Sequence, residues 1–409
     1  MKLGLFIFII TASTFSAHAL EGLDELSKSL YQKNQEMMSL EKNIESKEAL
    51  SNSSNSIYYP TLNAVGGWGQ YKTDDLPTTQ KGYLGYVEGR LNLFRGFKDR
   101  SIGGQKEIDF QISKLDLESK KRELRLQLTD IASDMIYLHK IQSILEEEYK
   151  VTQTQKQMAA KKVSAGLTGS VDNLEFELRE NEIQIEQKQV FQKHQEVHQK
   201  LIKLFGEDIT DSDLAKLEYS SAENLSKVKD QVKIENTLEY QKAGLSEHRA
   251  ELEKKEIKSD FMPALDFTYS IGRLTPSEES PTKFNESRYA IQLTIPLFSG
   301  FETYYKTKAA SLSLQSAERL KLQKRNDMSS EFNILRTKMS ELAALFQINE
   351  KKLVSSQKYF DLTLAEYRRG IKNSPDLVSA TERLFSSKKK KFEILKELEI
   401  AKVKIENFN

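Results

Sequence analysis

The 409-residue sequence predicts a mixed fold: long α-helical coiled coil joined to a membrane β-barrel, built from one unit used twice. Three observations predict it. Six of the seven prolines fall in two windows, 57–97 and 261–301, leaving long proline-free stretches between them. Landmarks in the first half recur in the second at a constant spacing. Inside the two proline windows, apolar and polar residues alternate with a period of two.

Composition sets the outer limits. Lys plus Arg number 61 and Asp plus Glu 60, a net charge of +1, so no polybasic surface dominates and nucleic acid is excluded as a first expectation. With 30% charged and 38% hydrophobic residues, and a mean hydropathy of -0.57, the chain is too polar for a helical membrane protein. It is also too rich in Leu, Ile and Phe for a disordered one. Cysteine is absent, which removes disulfides, thiolate metal sites and a cysteine nucleophile. No nucleophile–base arrangement is evident, so no enzyme and no cofactor are expected. His194 and His198 stand at i, i+4 without an evident third ligand, so no metal is expected either. Gly66-Gly67-Trp68-Gly69 has no helix after it and is not a phosphate loop, and the run Lys388–Lys391 reads as a solvated helix face.

At the N-terminus, Lys2 precedes an apolar run from Leu3 to Ile10 and a small-residue stretch ending Ala17-His18-Ala19. This is the pattern of a secretory signal over residues 1–19, with cleavage after Ala19. The apolar core is too short to span a bilayer.

The repeat comes next. Leu93-Phe94-Arg95-Gly96-Phe97 returns as Leu297-Phe298-Ser299-Gly300-Phe301, 204 positions on (93 to 297). Gly166, Ser170 and Asp172 return as Gly370, Ser374 and Asp376, again 204 on (166 to 370). Several landmarks at one spacing indicate duplication. The expected division is a first repeat over 20–222 and a second over 223–409. The first holds strands at about 58–72 and 82–97, coiled coil at about 98–205 and a linker over 206–222; the second holds strands at about 261–274 and 288–301 and coiled coil at about 302–408.

Within the first coiled coil, Leu124, Leu128, Ile131, Met135, Leu138 and Leu145 keep heptad steps, with polar Gln142 in the gap. In the second, Met328, Phe332, Leu335, Met339, Leu342, Phe346 and Leu353 do the same around polar Asn349. An a/d seam of this kind signals coiled-coil packing; an ordinary amphipathic core helix is the alternative. Proline-free stretches over 98–165 and 302–369 correspond to helices roughly 100 Å long, longer than a compact domain accommodates. Shorter helices are expected over 23–51, 170–205, 232–258 and 374–408. Gly166 and Gly370 suit left-handed helix ends, and Ser374-Pro375 suits a helix start.

In the strands, Leu62, Ala64 and Trp68 oppose Thr61 and Asn63, while Tyr83, Val87, Leu91 and Leu93 oppose Glu88, Arg90 and Asn92. In the second copy, Leu265, Phe267, Tyr269 and Ile271 oppose Asp266, Thr268 and Ser270, and Tyr289, Ile291, Leu293, Ile295 and Leu297 oppose Gln292 and Thr294. Segments of this kind form two hairpins, with polar loops over 73–80 and 275–285. They suit a membrane barrel or a soluble sheet with one face on a core. In the barrel case Leu91, Leu93, Ile291, Leu293 and Ile295 face lipid. Four strands cannot close a barrel, which needs about eight; three chains would supply twelve.

Taken together, the signal, the two repeats of hairpin plus coiled coil, the Leu-Phe-x-Gly-Phe strand ends and the Gly-x-x-x-Ser-x-Asp helix turns resemble the TolC family of outer-membrane efflux proteins. Pro296-Leu297-Phe298-Ser299-Gly300 matches that family's strand end, while Asn92 stands where the first copy would have proline. The resemblance implies a homotrimeric channel-tunnel, its twelve-stranded barrel in the outer membrane lipid of a Gram-negative bacterium and its helical tunnel in the periplasm. It implies a periplasmic adaptor and an inner-membrane transporter as partners, in drug or ion efflux or in type I secretion. It also implies that the tips Gly166-Leu167 and Gly370-Ile371 dock the adaptor. Asp172 and Asp376 would belong to a periplasmic gate, three copies of Asp376 forming an acidic ring without a second one, because Ser379 stands where the family often has an acid. Tyr367 and Lys372 match positions that tie the closed end together, with Lys in place of the more usual Arg. From a different class, a secreted or periplasmic coiled-coil scaffold without channel activity remains the other reading.

Overall fold

The computed structural model describes residues 23–72, 80–206, 219, 232–277 and 286–408. The segment read as a signal, both hairpin tips and most of the 206–222 linker, with the expected repeat boundary, lie outside the described residues. The described residues fall into two compact units, one within residues 35–120 and 233–330, the other within residues 1–34, 121–232 and 331–409.

The first unit carries the strands β1 (Thr61–Tyr71), β2 (Gln80–Arg95), β3 (Ala264–Ser277) and β4 (Glu286–Thr294). They form one antiparallel sheet in the order β1-β2-β3-β4, so the two hairpins join through β2 and β3. Register turns the period-two pattern into rows. Leu62, Gly89, Tyr269 and Tyr289 lie side by side, as do Leu91, Phe267 and Ile291. Between these rows run Thr61, Arg90, Thr268 and Ala290, and beyond the first of them Asn63, Glu88, Ser270 and Arg288. One face is therefore apolar and aromatic, the other polar, because successive side chains of a strand alternate.

Two expected lipid-face positions differ from simple alternation. A bulge between Asn92 and Phe94 inserts Leu93 as an extra residue, so Phe94 pairs with Leu265 and takes the place on the apolar face that Leu93 was expected to hold. Ile295 lies beyond β4, which stops at Thr294. Pro296 has no N–H to give a ladder and restricts the residue before it.

The repeated Leu-Phe-x-Gly-Phe motif is the device that turns strand into helix. Gly96 and Phe97 both adopt left-handed backbone (φ 60° and 65°), and so do Gly300 and Phe301 (φ 60° and 66°). A side chain on Gly96 would also meet Met262 Cβ at 2.4 Å. A phenylalanine at positive φ costs on the order of 1–2 kcal/mol. Each is offset by an edge-to-face contact with the phenylalanine three residues earlier, Phe94–Phe97 at 5.4 Å and Phe298–Phe301 at 5.4 Å, of about 0.5–1.5 kcal/mol. The helices that leave these turns, α3 (Lys98–Ser164) and α6 (Glu302–Arg368), each have 67 residues.

The other helices are α1 (Leu23–Lys33), α2 (Gln35–Ser53), α4 (Val171–Phe205), α5 (Leu238–Ser259) and α7 (Ser374–Glu406). The stretch expected as one helix over 23–51 is interrupted at Asn34. The helix expected from Val232 starts at Leu238 instead, where Thr237 Oγ1 accepts from Tyr240 N. A short 3-10 turn, Ser54–Tyr58, leads from α2 into β1.

In the second unit, parts of α3 and α6 pack with α4 and α7. Ile144, Leu145, Phe176, Ile183, Phe360, Leu377, Leu384 and Phe385 form its core. The heptad seams supply the buried rows: Leu124, Leu128, Met135, Leu138 and Leu145 on α3, and Met328, Phe332, Met339 and Leu342 on α6. The two polar seam residues part company. Gln142 is exposed and bonds Glu146 along its own helix, whereas Asn349 is buried and donates to the Ser387 carbonyl of α7 at 3.1 Å.

The lysine run on α7 is not merely solvated. Lys388 meets Glu147 (2.7 Å), Lys389 meets Glu186 (2.5 Å) and Glu148 (3.2 Å), and Lys391 meets Glu350 (3.1 Å). Consecutive helix residues project about 100° apart, so the run reaches α3, α4 and α6 at once. Glu148 is fully buried and also accepts from Arg179, so two cations compensate one desolvated carboxylate.

Candidate functional site

At the helix-turn end of the second unit, both turns are built by the same backbone chemistry. Gly166 (φ 69°) and Gly370 (φ 79°) are left-handed. Leu167 N donates to Lys162 O at 2.9 Å and Gly166 N to Val163 O at 3.0 Å; Ile371 N donates to Glu366 O at 3.0 Å and Gly370 N to Tyr367 O at 3.1 Å. This pair of bonds is the Schellman motif, which satisfies the last carbonyls of α3 and α6. It throws the next residue outward: Leu167 is 73% exposed and Ile371 65%. Val171, Leu174 and Leu178, the following apolar residues of α4, are exposed as well. Their i, i+3, i+7 spacing is visible in the sequence, but it reads there as a core face.

The return helices start differently. Asn373, not Ser374, caps α7: its Oδ1 accepts from Asp376 N at 3.1 Å. Ser170 makes no side-chain cap on α4. The residue matching Asn373 there is Gly169, which has no side chain to offer.

The four residues expected at a gate separate into two groups. Tyr367 is fully buried, its ring 5.9 Å from Phe176 in an edge-to-face contact. Its hydroxyl makes no hydrogen bond, and burial, with the nearby Asp172 charge, pushes its pKa up to about 12. Lys162 Nζ donates to the Tyr367 carbonyl and lies 3.9 Å from the ring centroid. Nothing in the sequence separates Lys162 from neighbouring Lys161. Asp172 accepts from the buried Ser374 hydroxyl at 2.5 Å, stapling α4 to α7. Lys372 and Asp376 form an i, i+4 pair at 3.5 Å within one turn, both partly exposed. Asp376 is thus the acid of the set left facing outward, held only by an exposed pair.

In the first unit the apolar sheet face is bare. Trp68, Tyr83, Phe94, Tyr269, Tyr289, Ile291 (68%) and Leu293 (59%) are exposed. Leu91 is half-buried, and Leu93 and Ile295 are exposed at the bulge and beyond the strand end. Single exposed apolar residues are ordinary on soluble proteins, but a contiguous sheet face of them marks an interaction surface. Among the described residues no helix is long and apolar enough to cross a membrane.

Comparison with known proteins places this geometry. Residues 233–407 match the family model described as outer membrane efflux protein. The outer membrane protein VceC of Vibrio cholerae superposes with a TM-score of 0.82 at 12% identity, covering 95% of this chain and 96% of that one. The open-state MtrE outer membrane channel of Neisseria gonorrhoeae gives 0.79 at 14% identity, with 95% and 89% covered. The CmeC outer membrane channel of Campylobacter jejuni gives 0.77 at 13% identity, with 95% and 85% covered. At these identities the shared property is the fold. No curated protein matches the chain by sequence. Residues 233–407 thus carry an outer membrane efflux protein domain, and the chain as a whole has the fold of these outer membrane channels.

Proposed function

We propose that three copies of this chain close a twelve-stranded barrel in the outer membrane of a Gram-negative bacterium and continue as a helical tunnel in the periplasm. The observation that carries this reading is the sheet itself. Among the described residues it has four strands, two of them outer strands without a second neighbour, β1 and β4, and a bare apolar face. Open edges are normally protected in native proteins, and closure removes them. Edge-to-edge pairing of three sheets (three times four strands) satisfies the backbone of β1 and β4 and leaves the apolar face for lipid. The exposed apolar residues of α4, and Leu345, Ile348 and Leu362 of α6, support the same reading, since a neighbouring copy would cover rows of this kind.

On this reading Leu91, Phe94, Ile291 and Leu293 meet lipid, with Leu93 and Ile295 beside them. The tips at Gly166-Leu167 and Gly370-Ile371 dock a periplasmic adaptor that couples to an inner-membrane transporter. Asp376 forms the acidic ring at the gate; Asp172, Tyr367 and Lys162 hold the turns that carry it, and Lys372 modulates its charge. Residues 1–19 are a signal removed on export, and 20–222 and 223–409 are the two repeats. The test is fractionation and electrophoresis of the full-length protein. A channel-tunnel enters the outer membrane fraction and migrates as a trimer that heat dissociates. A soluble, heat-insensitive monomer would support the scaffold reading instead.

A further inference from the structure

Where the sheet of the first unit gives way to helices, α2, α3 and α5 enclose a groove of about 1090 Å³. Two adjacent helical glycines form its floor. A side chain on Gly104 would meet Leu252 Cδ1 of α5 at 2.7 Å, and one on Gly103 would meet Ser54 Oγ at 3.3 Å. Each glycine destabilises a helix interior by roughly 1 kcal/mol relative to alanine; here they let both walls approach α3.

Cations outnumber carboxylates in the groove lining, Arg100, Lys255 and Lys258 against Asp99 and Glu107. Among the described residues neither Arg100 nor Lys258 has a carboxylate partner, and both are exposed to the groove. Its two acids accept from neutral donors, Asp99 from Asn92 Nδ2 at 3.1 Å and Glu107 from Ser51 Oγ at 2.9 Å, and keep their charge, so the lining carries a net charge of one positive unit. The amides of Asn52 and Asn55 line it and are likewise unbonded.

Its rim is apolar. Tyr58, Phe97 and Met262 line it and are exposed. These residues stand just before β1, just after β2 and just before β3, so in an antiparallel sheet they mark one end of the apolar face. Aromatic residues favour the membrane–water boundary, and basic pockets just beyond it attract phosphate head groups.

We infer that this groove binds the phosphate head group of a phospholipid in the leaflet the helices leave, with Arg100 and Lys258 as its cationic ligands and the acyl chains lying along Phe97 and the apolar face. The inference rests on the barrel reading above. It is tested by native mass spectrometry of the detergent-purified full-length protein with dioleoylphosphatidylglycerol, beside Arg100→Gln, Lys258→Gln and the double variant. The expected result is one retained lipid per chain, with retention weakened about tenfold for each cation removed and little retention of phosphate-free dioleoylglycerol. Unchanged retention in the double variant overturns the inference. So does equal retention of dioleoylglycerol, which assigns binding to the apolar rim alone, or displacement of the lipid by equimolar inorganic phosphate, which makes this a free-phosphate site. Quenching of Trp68, the single tryptophan, by brominated phospholipid vesicles separates the two levels. Quenched Trp68 with variant-insensitive lipid retention sinks the groove and leaves the barrel; unquenched Trp68 sinks both.

Discussion

Glu399 lies fully buried on α7 with neither carboxylate oxygen hydrogen-bonded. Burial, partly opposed by Lys402 and reinforced by Glu406, raises its pKa to about 8 from an ordinary 4.5. The folded state therefore holds a proton that the unfolded state releases near pH 4.5. Stability from this group is highest below that pH, falls as pH rises towards about 8, and is flat above. Glu399→Gln removes the titration with little change in shape. Its thermal midpoint relative to the parent should rise steadily between pH 5 and 8; a pH-independent difference would show that the carboxyl stays ionised. Tyr367→Phe removes a hydroxyl that bonds to nothing, so stability should shift by less than about 1 kcal/mol and conductance should not change. Asp376 behaves otherwise, because its charge is exposed and only weakly paired to Lys372. Asp376→Asn should lower cation preference, read as a reversal potential in a salt gradient, and the change should shrink at high salt. An identical reversal potential would reduce Asp376 to a helix-start residue that favours the dipole.

At the scale of elements, the two helical hairpins turn on glycines at φ 69° and 79°. Gly370→Pro is incompatible with that backbone and removes the N–H that bonds Tyr367 O. The turn should distort while the sheet, in the other unit, still assembles. Export should fall with the heat-sensitive trimer retained, and unimpaired export would show that this tip is not where the adaptor docks. The glycine ends were legible in the sequence because only one residue type tolerates such backbone easily. The strand ends were legible less well. Pro296 could have signalled that β4 stops at Thr294, but the bulge that lifts Phe94 onto the apolar face could not be seen. A bulge is decided by the partner strand, and β3 lies some 170 residues further along the chain (94 to 265). The N-cap at Asn373 was missed for a local reason: Ser374-Pro375 offers an equally good start one residue later.

For the whole molecule, the apolar sheet face carries the membrane assignment. Leu293→Arg places a charge on that face and should cost on the order of 2–4 kcal/mol if the residue sits near the bilayer midplane. The expected outcome is poor trimer yield in the outer membrane, measured by fractionation against the parent; normal assembly would argue that this face meets protein or water. The duplication, the seams, the four alternating segments and the glycine turns were set by the sequence alone, because each depends on local periodicity or on one residue's backbone freedom. Tertiary structure alone decided that β2 joins β3, that Lys162 bonds the Tyr367 carbonyl, that Asp172 accepts from Ser374, and that the lysine run of α7 reaches three other helices. These depend on which distant segments come within a few ångströms of each other, and a periodic pattern states which face a residue takes without stating what it meets there.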